Sequence, residues 1–405
     1  MTKYGRSPWT DRFPRSRVPT YPRLKGSHDI DVVIIGGGLT GCATAYAFAA
    51  AGIKVAVVEA SQVGQGVTAL SSGWIPGDPG TSFAAAEQLL GRSAARHAWQ
   101  SWRRAALDFT ALLRRLEVKC ELEPRSTLIA ATTPEQAAAL KRELKVRKDA
   151  GLESPSLNAK GIFAEAAITG PGGIRTRDSA TIDPYRAAVG LAAAAVERGA
   201  RIFERTAVVR TKFGRRTADV VLDGGSIRTR RIVVATGRPT DLFKSLIRHF
   251  WMKSSFTAVT APLPAKLRSQ LGRREVVVRD LAHPPHVIRW VGDDRLLVSG
   301  ADDAEVVPRL RGKTIVQRTG QLMYELSTIH PEISGILPEY GWELPYALTA
   351  EGVPYIGPHR NFPHHLFAFG DASHGVTAAY LASRLLLRHH LGEADAADEA
   401  FGFNR

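Results

Sequence analysis

Cysteine is nearly absent from this 405-residue sequence: only Cys42 and Cys120 occur, 78 positions apart. Two thiols at that spacing exclude a disulfide framework, a cysteine-based zinc site and a CxxC redox pair. They fit a reducing cytoplasm, the location expected here. His364-His365 and His389-His390 lack acidic or cysteine companions at ligand spacing, so no metal is expected. Acidic residues are in deficit, with 39 Asp and Glu against 54 Lys and Arg, a net charge of +15. That excess means either an anionic partner or a solvated basic surface. The basic residues are spread along the chain rather than gathered in one tract, so a nucleic-acid partner is not expected. A membrane segment is missing as well. Met1–His28 has no apolar core of a signal peptide and no twin-arginine pair. Val32–Ile53 is 22 residues without a charge, but Gly36, Gly37, Gly38 and Gly41 cluster near its start and would break a spanning helix.

What is present is ordinary globular composition, 44% hydrophobic and 23% charged, which rules out wholesale disorder. The length suggests two domains or one domain with an insertion. The first 28 residues carry seven Lys/Arg against Asp11, and Pro8, Pro14, Pro19 and Pro22 argue against a regular helix. We read them as an extended basic arm. Asp31–Ile35 is a short β-branched run of the kind found in buried parallel strands. A glycine turn, an alanine-rich helix from Leu39 to Ala51 and a second buried strand, Lys54–Val58, complete a βαβ unit. Thr133-Pro-Glu-Gln136 and Asp183-Pro184 are helix starts, closed by Gly151 and Gly199. Ile202–Arg210 and Val220–Ile227 read as strands, the latter turning at Asp223-Gly224-Gly225, and Arg231–Ala235 as one more buried strand. From Phe250 to Leu344 the texture changes to tryptophan, tyrosine, proline and hairpin signals, such as His286–Val291 and Arg295–Ser299 about Gly292-Asp293-Asp294. Leu366–Gly370 and the apolar helix Gly375–Leu391 return to nucleotide-fold texture.

The expected class is therefore α/β: a discontinuous Rossmann-like domain with an inserted α+β substrate domain containing an antiparallel sheet. The expected boundaries are an arm over 1–28, a cofactor domain over 29–95, 170–245 and 345–392, a substrate domain over 96–169 and 246–344, and a tail over 393–405.

Gly36-x-Gly38-x-x-Gly41 between strand and helix carries the chemistry. Its glycines make the turn, admit a pyrophosphate and let helix and strand approach, and the phosphates sit at the positive helix N-terminus, Leu39-Thr40. Glu59, 18 residues after Gly41 and followed by Ala60, is placed to accept ribose hydroxyls. An acid there argues against a 2′-phosphate. Three later segments favour FAD over NAD: Ala69–Gly73 with Ser71, Ser72 and Gly73; Ala235-Thr236-Gly237 at a strand end; and Phe369-Gly370-Asp371 with Gly375 opening a helix whose dipole suits a negative reduced ring. A second strand–GxGxxG–helix for nicotinamide is missing, as are paired cysteines.

In these motifs the chain resembles the flavoenzymes related to D-amino-acid oxidase, glycine oxidase and sarcosine oxidase. The resemblance spans nearly all of 29–405. It includes the Thr68–Gly73 loop, Ala180-Thr-Ile-Asp-Pro-Tyr185, Arg205-Thr-Ala-Val208, Ala235–Gly237, Glu351-Gly-Val-Pro-Tyr-Ile-Gly357 and Gly370-Asp-Ala-Ser-His-Gly375. It implies that Val208 holds adenine through its backbone and that Gly375, Val376 and Thr377 meet the pyrimidine edge of the flavin. It also implies hydride transfer from a C–N bond of an amine or amino acid to flavin, with oxygen, a quinone or a protein as electron acceptor.

On the substrate side the candidates are Arg289 and His374. Arg289 shares a strand face with Val287 and Val291 and is either an edge residue or a clamp for a substrate carboxylate. Trp290, Trp342, Tyr346 and Tyr355 wall a pocket or fill the core. Oxidation of a 2-hydroxy acid or of a tRNA base, and a non-catalytic FAD subunit, are the competing functions.

Overall fold

The computed structural model describes residues 1–292, 294–370 and 375–405. At its centre is a six-stranded sheet in the order Tyr355–His359, Phe362–Phe369, Arg231–Gly237, Val32–Ile35, Val55–Val58, Arg201–Phe203, parallel except for the first pair. Val32–Ile35 and Val55–Val58 are buried at every residue, as strands covered on both faces must be. Successive side chains go to opposite faces. Val32, Ile34, Val55 and Val57 pack on helices Leu39–Ala50, Pro184–Glu197 and Thr377–Leu391. Val33, Ile35, Ala56 and Val58 pack on a four-stranded sheet that supplies Val220, Leu222 and Ile227.

The second half is a ten-stranded, mostly antiparallel sheet. Its main path runs Lys3–Tyr4, Pro338–Leu348, Trp251–Thr260, Arg295–Ala304, Val287–Val291, Val276–Asp280, Glu123–Ala131, Gly172–Thr181, Trp74–Ile75. Helix Arg311–Ile329 covers one face, burying Ile315, Leu322 and Leu326 against Val298 and Phe256.

The arm, left by its sequence either lying on its own domain or mobile, is docked; other expectations are corrected. Lys3–Tyr4 pairs in parallel with the Tyr340-Gly341 edge, and Gly26–Asp29 extends the four-stranded sheet beside Gly225–Thr229. Pro8–Asp11 is a short helix with proline at its first position, where the missing N–H costs nothing. Gly172–Thr181, expected with the cofactor domain, belongs to the large sheet through Glu123–Ala131. It carries Arg175, Arg177 and Asp178 and so suits a sheet with a wet face, not a doubly covered one. Ile202–Arg210 is two strands in two different sheets, because Arg205 turns the chain at φ 51°. The terminal segment packs too: Ala400 and Phe401 join the helical core. Both helix caps form as expected, with Thr133 accepting from the amide of Gln136 and Asp183 from that of Arg186.

One buried polar group ties helix Arg311–Ile329 to the sheet. His286 Nδ1 lies 2.6 Å from Asp280 Oδ2 and its Nε2 2.9 Å from Glu325 Oε2. Burial alone would lower the imidazole pKa, but bonds to and charge on Asp280 and Glu325 outweigh it and raise the pKa to about 9. A raised folded-state value means that the stabilisation is complete below the unfolded pKa of roughly 6.5 and is lost as pH rises through about 9. We expect the wild-type melting temperature to fall between pH 6.5 and 9.5 by an amount that His286→Gln largely removes. Equal slopes for the two proteins would contradict a charged His286.

Candidate cofactor and substrate site

The carboxyl ends of the parallel strands meet at one place, where open α/β sheets bind ligands. Gly36 follows Ile35 with φ +107°, and a side chain there would meet Ala235 O at 2.8 Å. A Cβ on Gly41 would stand 1.9 Å from Gly36 O, so only glycine lets this helix rest on its strand. Helix Leu39–Ala50 starts on Gly38 without a side-chain cap, while Thr68 Oγ1 accepts from the Leu39 amide at 2.8 Å. Glu59 Oε2 accepts from the Gly37 amide at 2.7 Å and Oε1 from that of Ser61 at 2.8 Å. Each oxygen keeps a lone pair for a ribose hydroxyl. Gly370 N donates to Gly237 O at 3.0 Å, which joins the other two strand ends.

A cavity of about 860 Å³, part of it open to solvent, lies over these ends. Leu39, Thr40, Ser71, Thr236, Gly237, Gly370, Gly375 and Val376 line it, all of them expected cofactor contacts. Its remaining wall is largely apolar, from Leu344, Ile356, Ala379 and Ala382. Gly36, Gly38, Gly41 and Glu59 are not in its wall; the glycine turn leads into it through Leu39 and Thr40. Thr377 is not in the wall; its hydroxyl donates to Pro76 O at 2.8 Å, and the Val376 amide donates to Trp74 O at 2.8 Å. Ala235 is buried in the sheet, Ala60 is exposed, and Val208 opens the strand Val208–Phe213. Asp371 and His374 lie outside the described residues. The uncapped helix, the close glycine backbone, the Glu59 carboxylate and the apolar wall fit FAD. The glycine turn and Glu59 would hold its pyrophosphate and ribose, and the apolar wall its ring.

The loop at the rim of this cavity is held from outside by three residues from distant parts of the chain. Successive carbonyls of Leu70, Ser71 and Ser72 accept from Trp342 Nε1 at 2.8 Å, Trp9 Nε1 at 2.9 Å and Arg289 Nε at 2.6 Å. Arg289 also donates to Ile182 O at 3.3 Å and Trp290 O at 3.2 Å, and its guanidinium lies 5.1 Å from the Trp9 ring centroid. Its burial lowers its pKa to about 10. This corrects the reading of Arg289 as a substrate clamp. Its nitrogens are turned to backbone carbonyls, and it lines a separate depression with Trp9, Arg12 and Asp183. Gly73, with φ +69°, leaves the room: a Cβ there would stand 2.2 Å from Ile182 O. The sequence reading missed Trp9 as a loop contact. The only signal was a tryptophan after proline in an otherwise basic, polar arm.

A second cavity, of about 1560 Å³ including open solvent, opens on the large sheet and shares Tyr346 with the first. Arg279, Asp280, Asp302, Arg147 and Leu348 are among its lining residues. Tyr346 Oη donates to Asp302 Oδ2 at 2.8 Å.

The fold and this site define a nucleotide-binding oxidoreductase. Residues 31–388 match the model of the FAD-dependent oxidoreductase (DAO) family, and the chain belongs to that family. It is 25% identical over 387 residues to γ-glutamylputrescine oxidoreductase of Escherichia coli (strain K12), covering 95% of this chain and 88% of that one. It is 24% identical over 378 residues to a glycine oxidase of Bacillus licheniformis, covering 89% and 93%. The crystal structure of glycine oxidase from Geobacillus kaustophilus superposes with a TM-score of 0.77 at 19% identity, over 93% of this chain and 99% of that one. Among the described residues no helix is long and apolar enough to cross a membrane, and no group of three or more metal-ligating side chains is assembled.

Three outcomes are expected at this site. Gly38→Val should yield protein without FAD, because its side chain fills the pyrophosphate approach beside Thr68. Trp9→Phe keeps the ring and loses one buried hydrogen bond of about 1 kcal/mol, so FAD should bind roughly fivefold more weakly. Arg289→Ala should weaken FAD binding further. Titration of apoprotein with FAD checks all three, and unchanged FAD affinity in Trp9→Phe and Arg289→Ala would show that the loop does not need these contacts.

Proposed function

We propose that this enzyme oxidises the C–N bond of an amine or amino acid, with the substrate in the Tyr346 cavity and its reacting carbon turned toward the flavin. The observation that carries this reading is that Tyr346 lines both cavities. Bound FAD supplies the acceptor for the hydride that leaves the carbon next to nitrogen. The protein's task is then positional. Leu344 and Ile356 keep the cofactor cavity apolar, and Tyr346, whose Oη donates to Asp302 Oδ2, stands in the wall of both cavities. The neutral amine formed on losing a proton is the hydride donor, and water hydrolyses the resulting imine. The two relatives above are named for nitrogen compounds, γ-glutamylputrescine and glycine, which supports an amine over a 2-hydroxy acid. The buried, unpaired thiols of Cys42 and Cys120 support a reducing compartment.

The test is anaerobic mixing of the yellow protein with panels of amines, amino acids and 2-hydroxy acids. Amines or amino acids should bleach the flavin absorbance. Bleaching by hydroxy acids alone would replace this reading. Reoxidation of the bleached protein by oxygen or by a quinone then identifies the acceptor.

A further inference from the structure

One wall of the cofactor cavity is the edge of the six-stranded sheet. Pro354 and Ile356 line the cavity beside Ala368 and Phe369. Tyr355–His359 is the outermost strand and pairs only with Phe362–Phe369, with Tyr355 opposite Phe369 where the ladder begins. Val353 and Pro354 precede that first pair, and a proline has no N–H to offer a ladder. Their position therefore rests on what their carbonyls accept. Val353 O accepts from Thr349 Oγ1 at 2.8 Å. The other donors come from Arg405. Its Nη2 donates to Val353 O at 2.6 Å and to Glu351 Oε2 at 3.2 Å. Its Nη1 donates to Pro354 O at 2.8 Å and to Ala400 O at 3.2 Å. The guanidinium also lies 3.8 Å from the ring centroid of Tyr355, and Phe403 stacks on that ring at 4.9 Å.

The segment that carries Arg405 is itself fastened to another wall of the same cavity. Ala400 and Phe401 belong to the helical core. Asp398 accepts from Arg388 Nη2 at 2.6 Å, and Arg388 lies on helix Thr377–Leu391, whose Ala379 and Ala382 line the cavity. The segment thus braces the strand wall against the helix wall. A planar fork holds two successive carbonyls at once, which a point charge does not. We propose that Arg405 is a positioning residue for the cofactor: it fixes the Val353-Pro354 backbone, and through it the Pro354–Ile356 wall against which FAD packs. The role concerns the cofactor and holds whichever substrate is oxidised.

Removing Arg405 alone would leave the largely buried Glu351 carboxylate without its cation, so the test variant is Arg405→Met combined with Glu351→Gln. Three quantities are measured: FAD affinity by titration of apoprotein, the visible circular dichroism of the bound flavin, and melting of the apoprotein. The double variant should bind FAD at least roughly fivefold more weakly, the equivalent of one lost hydrogen bond, and the dichroism of its flavin should change. Arg405→Lys keeps a charge beside Glu351 but lacks the fork, so its flavin should also show altered dichroism and weaker binding. In Arg405→Ala, added guanidinium ion should restore part of the FAD affinity, and methylammonium should not. A purely structural arginine predicts a lower melting temperature with unchanged FAD affinity and superimposable flavin dichroism. That result, in the double variant or in Arg405→Lys, would overturn the proposal. If the double variant does not fold, Arg405→Lys decides alone.

Discussion

The cofactor half depends on a helix lying nearer to its strand than any side chain permits. With 1.9 Å between a virtual Cβ of Gly41 and Gly36 O, the backbone itself is the contact surface. That approach sets the height of the Leu39–Ala50 N-terminus above the sheet. It thereby fixes where the uncapped amides stand relative to Glu59 on the next strand and to Gly237 and Gly370 on the strands beyond Val32–Ile35. The buried β-branched strands add a second constraint, since a slip of one residue would exchange the face that meets the helices for the face that meets the four-stranded sheet.

The loop Leu70–Ser72 is the weakest-supported part of the same site by local means. It is a short 3-10 turn followed by extended backbone, and its outward carbonyls have no partners in a regular ladder. Buried carbonyls need donors. Here they come from positions 9, 289 and 342, brought together only by the assembled large sheet. The loop is thus tied to the docking of the arm and to the second half, with each contact contributing about 1 kcal/mol or somewhat more where the donor is charged.

What could be read from residues alone was whatever is local. The glycine turn, the Glu59 spacing, the caps at Thr133 and Asp183 and the hairpin before Arg295 each involve neighbours in sequence, and each is present. Failures occurred where the partner is remote. A strand such as Gly172–Thr181 has no local mark of which sheet it joins. Arg289 between two valines disclosed its face but not the three carbonyls opposite. The break within Ile202–Arg210 falls at Arg205, next to Glu204, which is buried and accepts from the amides of Tyr21 and Val63, one from the arm and one from the loop after Glu59. Neither partner is visible at positions 202–210.

One strand shows how the remote contacts are organised. Along Pro338–Leu348, residues 340, 342, 344 and 346 share a face. Tyr340 Oη meets Asp11 of the arm, Trp342 holds the Leu70 carbonyl, Leu344 lines the cofactor cavity, and Tyr346 lines both that cavity and the second one. The opposite face carries structural contacts: Gly341 lies under Thr319 of the covering helix, where a Cβ would be 2.1 Å from Oγ1, and Glu343 pairs with Arg311 and Ser254. A strand's two-residue period therefore divides one segment into a face that anchors the sheet to its helix and a face that passes from arm to loop to the two cavities. A displacement of this strand along its axis moves all four contacts together, so the wall at Tyr346 cannot shift without also disturbing the loop at the rim of the cofactor cavity.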